Sequence, residues 1–163
     1  RLLDMGIEPF LIASTVNTII GQRLVRRVAN RRDAYWSTPL ETQMIKETVG
    51  HLLPKTKEEV ANISADLGYK DLPLAGQTAY TLVKGRDTPA TPHGYAGRAG
   101  IFEVMDVTEA IQNLIVKRAT SAEIQHKAIE QGMITMRQDG YLKALTGITT
   151  LEEVNRVTSA DTA

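Results

Sequence analysis

The stretch that decides the fold runs from residue 9 to residue 28 and reads Pro9-Phe-Leu-Ile-Ala-Ser-Thr-Val-Asn-Thr-Ile-Ile20, then Gly21-Gln-Arg-Leu-Val-Arg-Arg-Val28. Its first part is apolar on most faces of a helix, and Pro9 suits the first helical turn, where its missing N–H needs no partner. We expect Gly21 to end this helix, because glycine is common at helix C-termini. The Leu and Val side chains that follow favour a short strand. A helix that leads directly into a strand predicts an α/β fold.

The first six residues, Arg1-Leu-Leu-Asp-Met-Gly6, are typical of the last turn of a helix. Gly6 can close that turn in the left-handed conformation of a C-terminal glycine. No initiator Met and no capping residue precede it, and a helix that is apolar on several faces needs neighbours to cover it. We therefore expect the chain to be the back part of a larger protein, with much of its function upstream.

Composition excludes several classes of site. The 163 residues contain 19 basic and 19 acidic side chains, so no net charge indicates nucleic acid or an anionic membrane as a partner. Cysteine is absent, which excludes disulfides, thiol catalysis and thiolate metal sites. No stretch approaches the roughly 20 apolar residues of a membrane span. The three histidines are scattered and do not form a hydrolytic triad pattern.

Capping boxes predict most of the helices, because a Thr or Asp followed three residues later by Glu satisfies two free backbone N–H groups. Five such boxes occur: Thr38-Pro-Leu-Glu41, Thr56-Lys-Glu-Glu59, Asp106-Val-Thr-Glu109, Thr120-Ser-Ala-Glu123 and Thr149-Thr-Leu-Glu152. A further helix is expected from Asp139 to Leu145. Strands are expected over residues 77–83 and 97–105, and a Pro- and Gly-containing loop between them.

Four ordered segments carry a resemblance to a known family. They read Arg1-Leu-Leu-Asp-Met-Gly-Ile-Glu-Pro-Phe-Leu-Ile-Ala-Ser14; Gln22-Arg-Leu-Val-Arg-Arg27; Gly94-Tyr-Ala-Gly-Arg-Ala-Gly-Ile-Phe-Glu-Val104; and Gln131-Gly-Met-Ile-Thr-Met-Arg-Gln-Asp-Gly140, continued by Gly147-Ile-Thr-Thr-Leu-Glu-Glu-Val154. In this order they resemble the secretion-ATPase superfamily. The likeness is to the C-terminal part of the type IV pilus assembly (extension) ATPases and of the type II secretion ATPase.

The resemblance implies a fold and a division of the chain. The fold would be the C-terminal end of a RecA-like P-loop ATPase core followed by a mainly helical C-terminal subdomain. Residues 1–28 would be the last helix and strand of that core. Residues 29–98 would form an insert in the position of the family's zinc-binding region, and residues 99–163 the helical subdomain.

The resemblance also implies a function. The family is a hexameric motor that hydrolyses ATP with Mg²⁺ and drives pilin assembly or type II secretion. The expected partners are the chain's own upstream ATPase core, neighbouring subunits of a homo-hexamer and an inner-membrane platform protein, with no nucleic acid. The expected location is cytoplasmic, peripheral at the inner face of the cytoplasmic membrane.

The phosphate-binding loop of such a motor is not among these residues, since no Gly-Lys-Ser/Thr triplet occurs in the sequence. In the family, the Walker A, Walker B and His-box motifs lie before the segment that begins here. We therefore expect the parent protein to be an ATPase and this chain to be inactive alone, with no catalytic residue of its own.

Zinc is the main departure from the family pattern. Many relatives carry two Cys-x-x-Cys pairs, which bind structural Zn²⁺ strongly. By position, the first pair falls at Ala29 and Arg32, and the second at Asp87 and Ala90. Because all four thiols are missing, we expect no zinc. We expect apolar packing of the insert to replace the link that the metal would make between the two loops.

An arginine cluster supplies the candidate site residues Arg23, Arg26, Arg27, Arg31 and Arg32. The cluster could bind an anion, such as a nucleotide phosphate, an acidic face of a neighbouring subunit or a lipid headgroup. It could equally be a charged, solvated strand edge. By resemblance, Gln22 and Arg23 are the candidates nearest the nucleotide.

The interface candidates are Arg26, Arg27 and Arg98. Arg98 lies between two glycines at a strand entry, where it could pin a carboxylate inside the chain or across an interface. Two other functions stay open at this point. One is a non-catalytic interaction module that binds a motor or an inner-membrane platform. The other is an anion- or nucleic-acid-binding domain that uses the arginine cluster.

Overall fold

The computed structural model describes residues 2–159, and within that range it contains seven α-helices and four β-strands. The helices are α1 (Pro9–Thr15), α2 (Pro39–Val49), α3 (Val60–Asp66), α4 (Glu109–Val116), α5 (Ser121–Glu130), α6 (Met136–Leu145) and α7 (Leu151–Thr158). The strands are β1 (Thr18–Val28), β2 (Arg32–Trp36), β3 (Thr81–Gly85) and β4 (Tyr95–Asp106). Short 3₁₀ turns cover Lys57–Glu59 and Pro92–Gly94. The α/β class predicted from the sequence is confirmed.

The chain divides into two compact units, each made from two separate segments. Unit 1 combines Arg1–Gln22 with Phe102–Thr135. Unit 2 combines Arg23–Ile101 with Met136–Ala163. The strands β1 and β4 pair with each other, and each contributes residues to both units.

Unit 1 is held together by helix packing. Ile12 and Ala13 of α1 are buried with Ile111 and Ile115 of α4. The turn that precedes α1 ends at Gly6, whose φ of 79° is the left-handed conformation predicted from the sequence. Unit 1 also leaves large apolar side chains exposed on α1, which is taken up below.

Unit 2 contains the larger core. Strands β2 and β3 form an antiparallel hairpin-like pair in which Asp33 lies opposite Lys84 and Tyr35 opposite Leu82. Helices α2, α6 and α7 pack around a core whose fully buried members include Val25, Ile45, Tyr80, Ile101, Tyr141 and Val154. The N-terminus of α7 is thereby held close to β1.

The first helix is shorter than the sequence predicts. It ends at Thr15, and the strand β1 begins at Thr18, so the prediction that the helix continues to Ile20 and stops at Gly21 is wrong. The β-branched residues of the stretch from residue 16 to residue 20 favour extended backbone. Asn17 also uses its carbonyl to accept a hydrogen bond from the N–H of Val107, 2.8 Å away, instead of continuing the helix.

Three of the five predicted capping boxes form, and at the other two sites a different residue caps the helix. The boxes at Thr38, Thr56 and Thr120 form as predicted. Helix α4 is capped by Thr108 and not by Asp106, because Asp106 is still part of β4. Helix α7 is capped by Thr150, one residue later than predicted.

The other two predicted strands and the predicted helix are present, but they begin and end at different residues. The strand expected over residues 77–83 lies at Thr81–Gly85, and the strand expected over residues 97–105 extends over Tyr95–Asp106. The helix expected from Asp139 begins earlier, at Met136. Across residues 2–159, none of the helices combines the length and apolar character that a bilayer crossing requires.

Candidate functional site

A buried carboxylate in unit 2 organises the candidate site. The side chain of Glu153, on α7, is fully buried. Its Oε1 accepts a hydrogen bond from the main-chain N–H of Arg26 at 2.9 Å. Its Oε2 accepts two more from the guanidinium of Arg26, from Nε at 3.0 Å and from Nη2 at 2.8 Å. The last helix is therefore joined to β1 by both the backbone and the side chain of one strand residue.

A second arginine completes this cluster. Arg156 lies one turn after Glu153 and donates from Nε to Oε2 at 3.0 Å and from Nη2 to Oε1 at 2.7 Å. The guanidinium of Arg26 also lies over the ring of Tyr95, 4.2 Å from its centre, which is a cation–π contact. We call Arg26, Tyr95, Glu153 and Arg156 the Glu153 clamp.

Two threonines extend the clamp along the start of α7. The hydroxyl of Thr149 donates to the carbonyl of Arg26 at 2.9 Å. The hydroxyl of Thr150 lies 2.8 Å from that of Tyr95 and also accepts from the N–H of Glu153 at 3.2 Å. The polar groups around the buried carboxylate are thus bonded inside the chain.

The clamp keeps Glu153 ionised. Burial on its own raises the pKa of a carboxyl group, but the hydrogen bonds from Arg156 and Arg26 outweigh it and bring the pKa of Glu153 down to about 2. A carboxylate that is charged throughout the neutral range and bonded to two guanidinium groups does not exchange protons with a substrate. Its chemical role is to fix geometry, not to act as an acid or base.

Beside the clamp lies an open cleft of about 910 Å³, entirely in unit 2. The pair β2–β3 forms one side of it, and the N-terminal turns of α2 and α7 form another. Arg26 and Tyr95 are among its lining residues, so the cleft and the clamp share two residues. We call this the clamp cleft.

The predicted nucleotide-side residues occupy different environments. Gln22 is exposed and belongs to unit 1, whereas Arg23 is partly buried and belongs to unit 2. The guanidinium of Arg23 donates to the carbonyl of Val157, near the end of α7. Their assignment to a nucleotide stays a prediction.

The other arginines of the cluster separate into two groups. Arg26 and Arg32 bond inside the chain, Arg26 to Glu153 and Arg32 to the carbonyl of Gly147. Arg27 and Arg31 are exposed, as is Arg98, which lies outside the cluster. The assignment of Arg26, Arg27 and Arg98 to an interface stays a prediction, and 41% of the Arg26 side chain is accessible for it.

The segments that replace the two cysteine pairs are joined by hydrogen bonds. The N–H of Ala29 donates to the carbonyl of Gly94 at 3.0 Å. Arg86 donates through its backbone N–H to the carbonyl of Arg31 at 2.9 Å, and through two guanidinium nitrogens to Asp33 at 2.9 and 2.6 Å. Asp87 accepts from the N–H of His93 at 3.0 Å.

No metal cluster accompanies these contacts in the described part of the chain. Between residues 2 and 159, no group of three or more His, Asp or Glu side chains lies close enough together to hold a metal ion. The side chains of Ala29 and Ala90 are methyl groups and offer no ligand atom. The residues present do not fit a tetrahedral zinc site.

Sequence reasoning missed Glu153 itself. The predicted capping box joins Thr149 to Glu152, and in that box Glu153 has no capping role. The alternative frame, Thr150-Leu-Glu-Glu153, was available in the sequence and would have placed Glu153 at the third helical position. Arg26, its partner, was recognised only as a member of a basic cluster.

Comparison of the sequence with known proteins identifies its family. The sequence profile of the family described as "Type II/IV secretion system protein" matches residues 1–156. The type IV pilus assembly ATPase PilB of Myxococcus xanthus is 34% identical over 165 residues, which cover 99% of this chain and 25% of that protein. The type II secretion system protein E of Xanthomonas campestris pv. campestris is 36% identical over 160 residues, covering 97% of this chain and 24% of that protein.

A third relative is similar over nearly the same part of the chain. The PilB of Pseudomonas aeruginosa is 34% identical over 158 residues, covering 97% of this chain and 24% of that protein. The chain thus spans about a quarter of the length of the curated relatives that it matches. Because the profile and these relatives each cover nearly the whole chain, the protein belongs to the type II/IV secretion system protein family.

Proposed function

We propose that the chain is the C-terminal part of a hexameric P-loop ATPase motor that hydrolyses ATP to drive pilin assembly or type II secretion. The observation that carries this proposal is the similarity to proteins named type IV pilus assembly ATPase and type II secretion system protein E over 97–99% of the chain. The role of these residues in the motor is mechanical, because the clamp is built to hold elements together and not to perform chemistry.

The Glu153 clamp supports this role. In the proposed motor, β1 is the last strand of the ATPase core, so a displacement of the core moves this strand with it. Five hydrogen bonds meet on the carboxylate of Glu153, three from Arg26 and two from Arg156. We expect β1 and α7 to move together, since buried charge-assisted hydrogen bonds are short and directional.

The exposed apolar side chains of unit 1 support the proposed position of the chain. Phe10 and Leu11 on α1 are 71% and 52% exposed, and Met5, in the turn before α1, is 69% exposed. Exposed apolar surface of this kind marks an interaction site. In the proposal, residues 1–28 are the last helix and strand of the RecA-like core, and the rest of that core covers these side chains.

The remaining assignments follow from the same proposal. ATP and Mg²⁺ bind to the core of the parent protein, with Gln22 and Arg23 on the side nearest the nucleotide. Arg26, Arg27 and Arg98 face a neighbouring subunit. The parent works at the cytoplasmic face of the inner membrane, where a platform protein receives its motion, and residues 29–98 act without zinc.

The proposal is tested by measuring ATP hydrolysis in two proteins. We expect the purified chain to show no Mg²⁺-dependent turnover above a buffer control. We expect the upstream reading frame to encode a phosphate-binding loop, and the protein expressed with it to hydrolyse ATP. ATP hydrolysis by the chain alone would contradict the proposal that the catalytic motifs lie upstream of it. A start codon shortly upstream, with none of those motifs after it, would contradict the proposal that the protein is a motor. The alternative of a non-catalytic interaction module would then remain.

The zinc-free insert has its own test. Treatment with a strong chelator is expected to leave the thermal unfolding temperature unchanged, because the tie between residues 29–33 and 86–94 consists of hydrogen bonds and an ion pair. Metal analysis of the purified protein provides the check. Stoichiometric zinc, or a clear loss of stability on chelation, would contradict the proposal.

A further inference from the structure

The strand β2 lies at the edge of a two-stranded sheet. Its five residues pair with β3 in a continuous antiparallel register without a bulge. Antiparallel residues alternate between pairs that exchange main-chain hydrogen bonds and pairs that do not. Just beyond the strand, the N–H of Ser37 donates to the carbonyl of Tyr80 at 2.8 Å, so this is a bonded pair. Counting back from Ser37, the main-chain groups of Arg32, Ala34 and Trp36 therefore point away from β3.

These outward main-chain groups have no partner within the described chain. Among residues 2–159, no hydrogen bond joins the N–H or the carbonyl of Arg32, Ala34 or Trp36 to another residue. Every residue of β2 is exposed, and the strand contains no Pro that would interrupt the edge. A row of three N–H and three carbonyl groups thus lies along the outer edge of β2, and such a row is a template for a further strand.

The side chains of β2 divide the strand into two halves of different character. Arg32 and Asp33 make the first half charged, whereas Tyr35 and Trp36 make the second half aromatic, with Ala34 between them. The ring of Trp36 is 69% exposed. When two copies of such a strand run antiparallel, the charged half of one meets the aromatic half of the other. The strand is therefore complementary to itself.

One antiparallel register uses all of the outward groups. With Ala34 opposite Ala34 of a second copy, Arg32 lies opposite Trp36 of that copy, and two-fold symmetry repeats the contact. A guanidinium beside an indole ring is a favourable cation–π pair. A shift of two residues moves Arg32 or Trp36 past the end of the other strand. A parallel arrangement would place Arg32 beside Arg32, and facing like charges are destabilising.

The charges of β2 are compatible with this register. Asp33 is bonded to two guanidinium nitrogens of Arg86, so its charge is matched inside the chain. The guanidinium of Arg32 donates to the carbonyl of Gly147 but forms no ion pair within residues 2–159. Its positive charge is therefore not neutralised by a carboxylate of the described chain, and a group of a second copy can act on it.

We propose that the outer edge of β2 pairs antiparallel with β2 of a second copy of this chain, with Arg32 of each copy against Trp36 of the other. The pairing supplies six main-chain hydrogen bonds and covers both indole rings. Both participating strands belong to unit 2. The inference does not depend on the ATPase proposal, and it concerns a different surface from the exposed apolar side chains of α1.

Self-association of the purified chain is the first measurement. We expect sedimentation equilibrium over a concentration series to show monomers and dimers. Trp36 is the only tryptophan of the protein, so its fluorescence reports on this edge without a label. We expect its emission to change over the same concentrations. A chain that stays monomeric, or a dimer that leaves the emission of Trp36 unchanged, would overturn the proposal.

Two substitutions of one residue test the register. Trp36→Glu places a carboxylate against Arg32 of the second copy, whereas Trp36→Lys places a second positive charge there. Facing opposite charges stabilise a strand pair and facing like charges destabilise it, and by symmetry each contact occurs twice in the dimer. We expect the dimer dissociation constant of Trp36→Lys to exceed that of Trp36→Glu at least about tenfold. Equal constants would contradict the register.

The comparison is controlled for general charge effects. Because the chain contains 19 basic and 19 acidic side chains, the two variants carry net charges of equal size and opposite sign. Ile129→Glu and Ile129→Lys make the same changes on α5 in unit 1, where the side chain is 44% exposed. We expect these two variants to dimerise equally. A difference as large as that at Trp36 would show that the contact lies elsewhere, and would overturn the proposal.

Ala34→Pro tests the main-chain hydrogen bonds. It removes the outward N–H of Ala34, which β3 does not use, and edge strands tolerate proline for this reason. We expect dimerisation to be lost while the far-ultraviolet circular dichroism stays that of the unchanged protein. Undiminished dimerisation of the folded variant would contradict strand pairing. If this variant does not fold, the comparison between Trp36→Glu and Trp36→Lys still decides the outcome.

Discussion

Glu153 and Arg26 lie 127 residues apart in the chain, yet the carboxylate of one accepts three hydrogen bonds from the other. The two residues differ in their exposure, since the side chain of Glu153 is fully buried and 41% of that of Arg26 is accessible. Loss of the Arg26 guanidinium would leave a buried carboxylate with fewer donors, whereas loss of the Glu153 charge would leave a guanidinium that water still reaches. The following predictions begin with this pair.

Substitution of Glu153 by Gln is expected to lower the free energy of unfolding by about 2 kcal/mol, because it keeps the shape but replaces charge-assisted hydrogen bonds with neutral ones. Urea unfolding measures the change. Glu152→Gln is the matched control, since the neighbouring side chain is exposed, and its effect should stay within about 0.5 kcal/mol. Equal effects of the two substitutions would show that the clamp does not stabilise unit 2.

Acid should remove the contribution of Glu153. Its pKa is about 2 in the folded protein and 4.5 in its ordinary state. A carboxyl group with a lowered pKa stabilises the fold above its ordinary pKa, and this contribution is lost as the pH falls from 4.5 toward 2. The amount at neutral pH is roughly 3 kcal/mol for a shift of this size.

Urea unfolding of the unchanged protein and of Glu153→Gln over a series of pH values checks this prediction. The difference in stability between the two should be constant near neutral pH and shrink steadily below the ordinary pKa of the carboxyl group. A difference that stays constant into strong acid would contradict the assigned pKa.

Gly140 on α6 lies against the side chain of Val154 on α7. A Cβ atom at this position would lie 2.5 Å from Cγ1 of Val154, and the valine is fully buried. We expect Gly140→Ala to destabilise the protein by about 1–3 kcal/mol through overpacking, despite the better helix propensity of alanine. The double substitution Gly140→Ala with Val154→Ala should recover part of the loss, which a double-mutant cycle measures.

Gly85 and Gly94 bring the ends of the loop after β3 together. A Cβ atom on Gly85 would lie 1.8 Å from the carbonyl oxygen of Gly94, and this backbone atom has little freedom to move. We expect Gly85→Ala to open the loop and to lower the unfolding temperature clearly. Gly68→Asn is the control, because its left-handed φ of 82° suits Asn and no atom lies within 4 Å. Similar unfolding temperatures for the two variants would contradict the close contact.

The sequence was sufficient for features that depend on neighbouring residues. Thr38 with Glu41, and Thr120 with Glu123, cap their helices as predicted, because a capping box is complete within four residues. The left-handed turn at Gly6 follows from the same kind of local rule. The α/β class followed from one helix–strand junction, even though the junction lies a few residues earlier than predicted.

Features that depend on distant partners were not accessible in this way. The length of α1 is decided in part by the pairing of Asn17 with Val107, which no local propensity contains. Glu153 is indistinguishable from Glu152 in sequence, and only the fold shows that one is buried beside Arg26 and the other faces the clamp cleft. The cleft itself combines β2, β3, α2 and α7, so its composition could not be foreseen.

The segmented construction of unit 2 has a consequence for protein synthesis. A ribosome delivers Arg26 127 residues before Glu153, so β1 remains without its buried partner while those residues are made. A premature stop after residue 135 would yield a product that contains all four strands but neither α6 nor α7. Such a product would lack the clamp and would expose the core of unit 2.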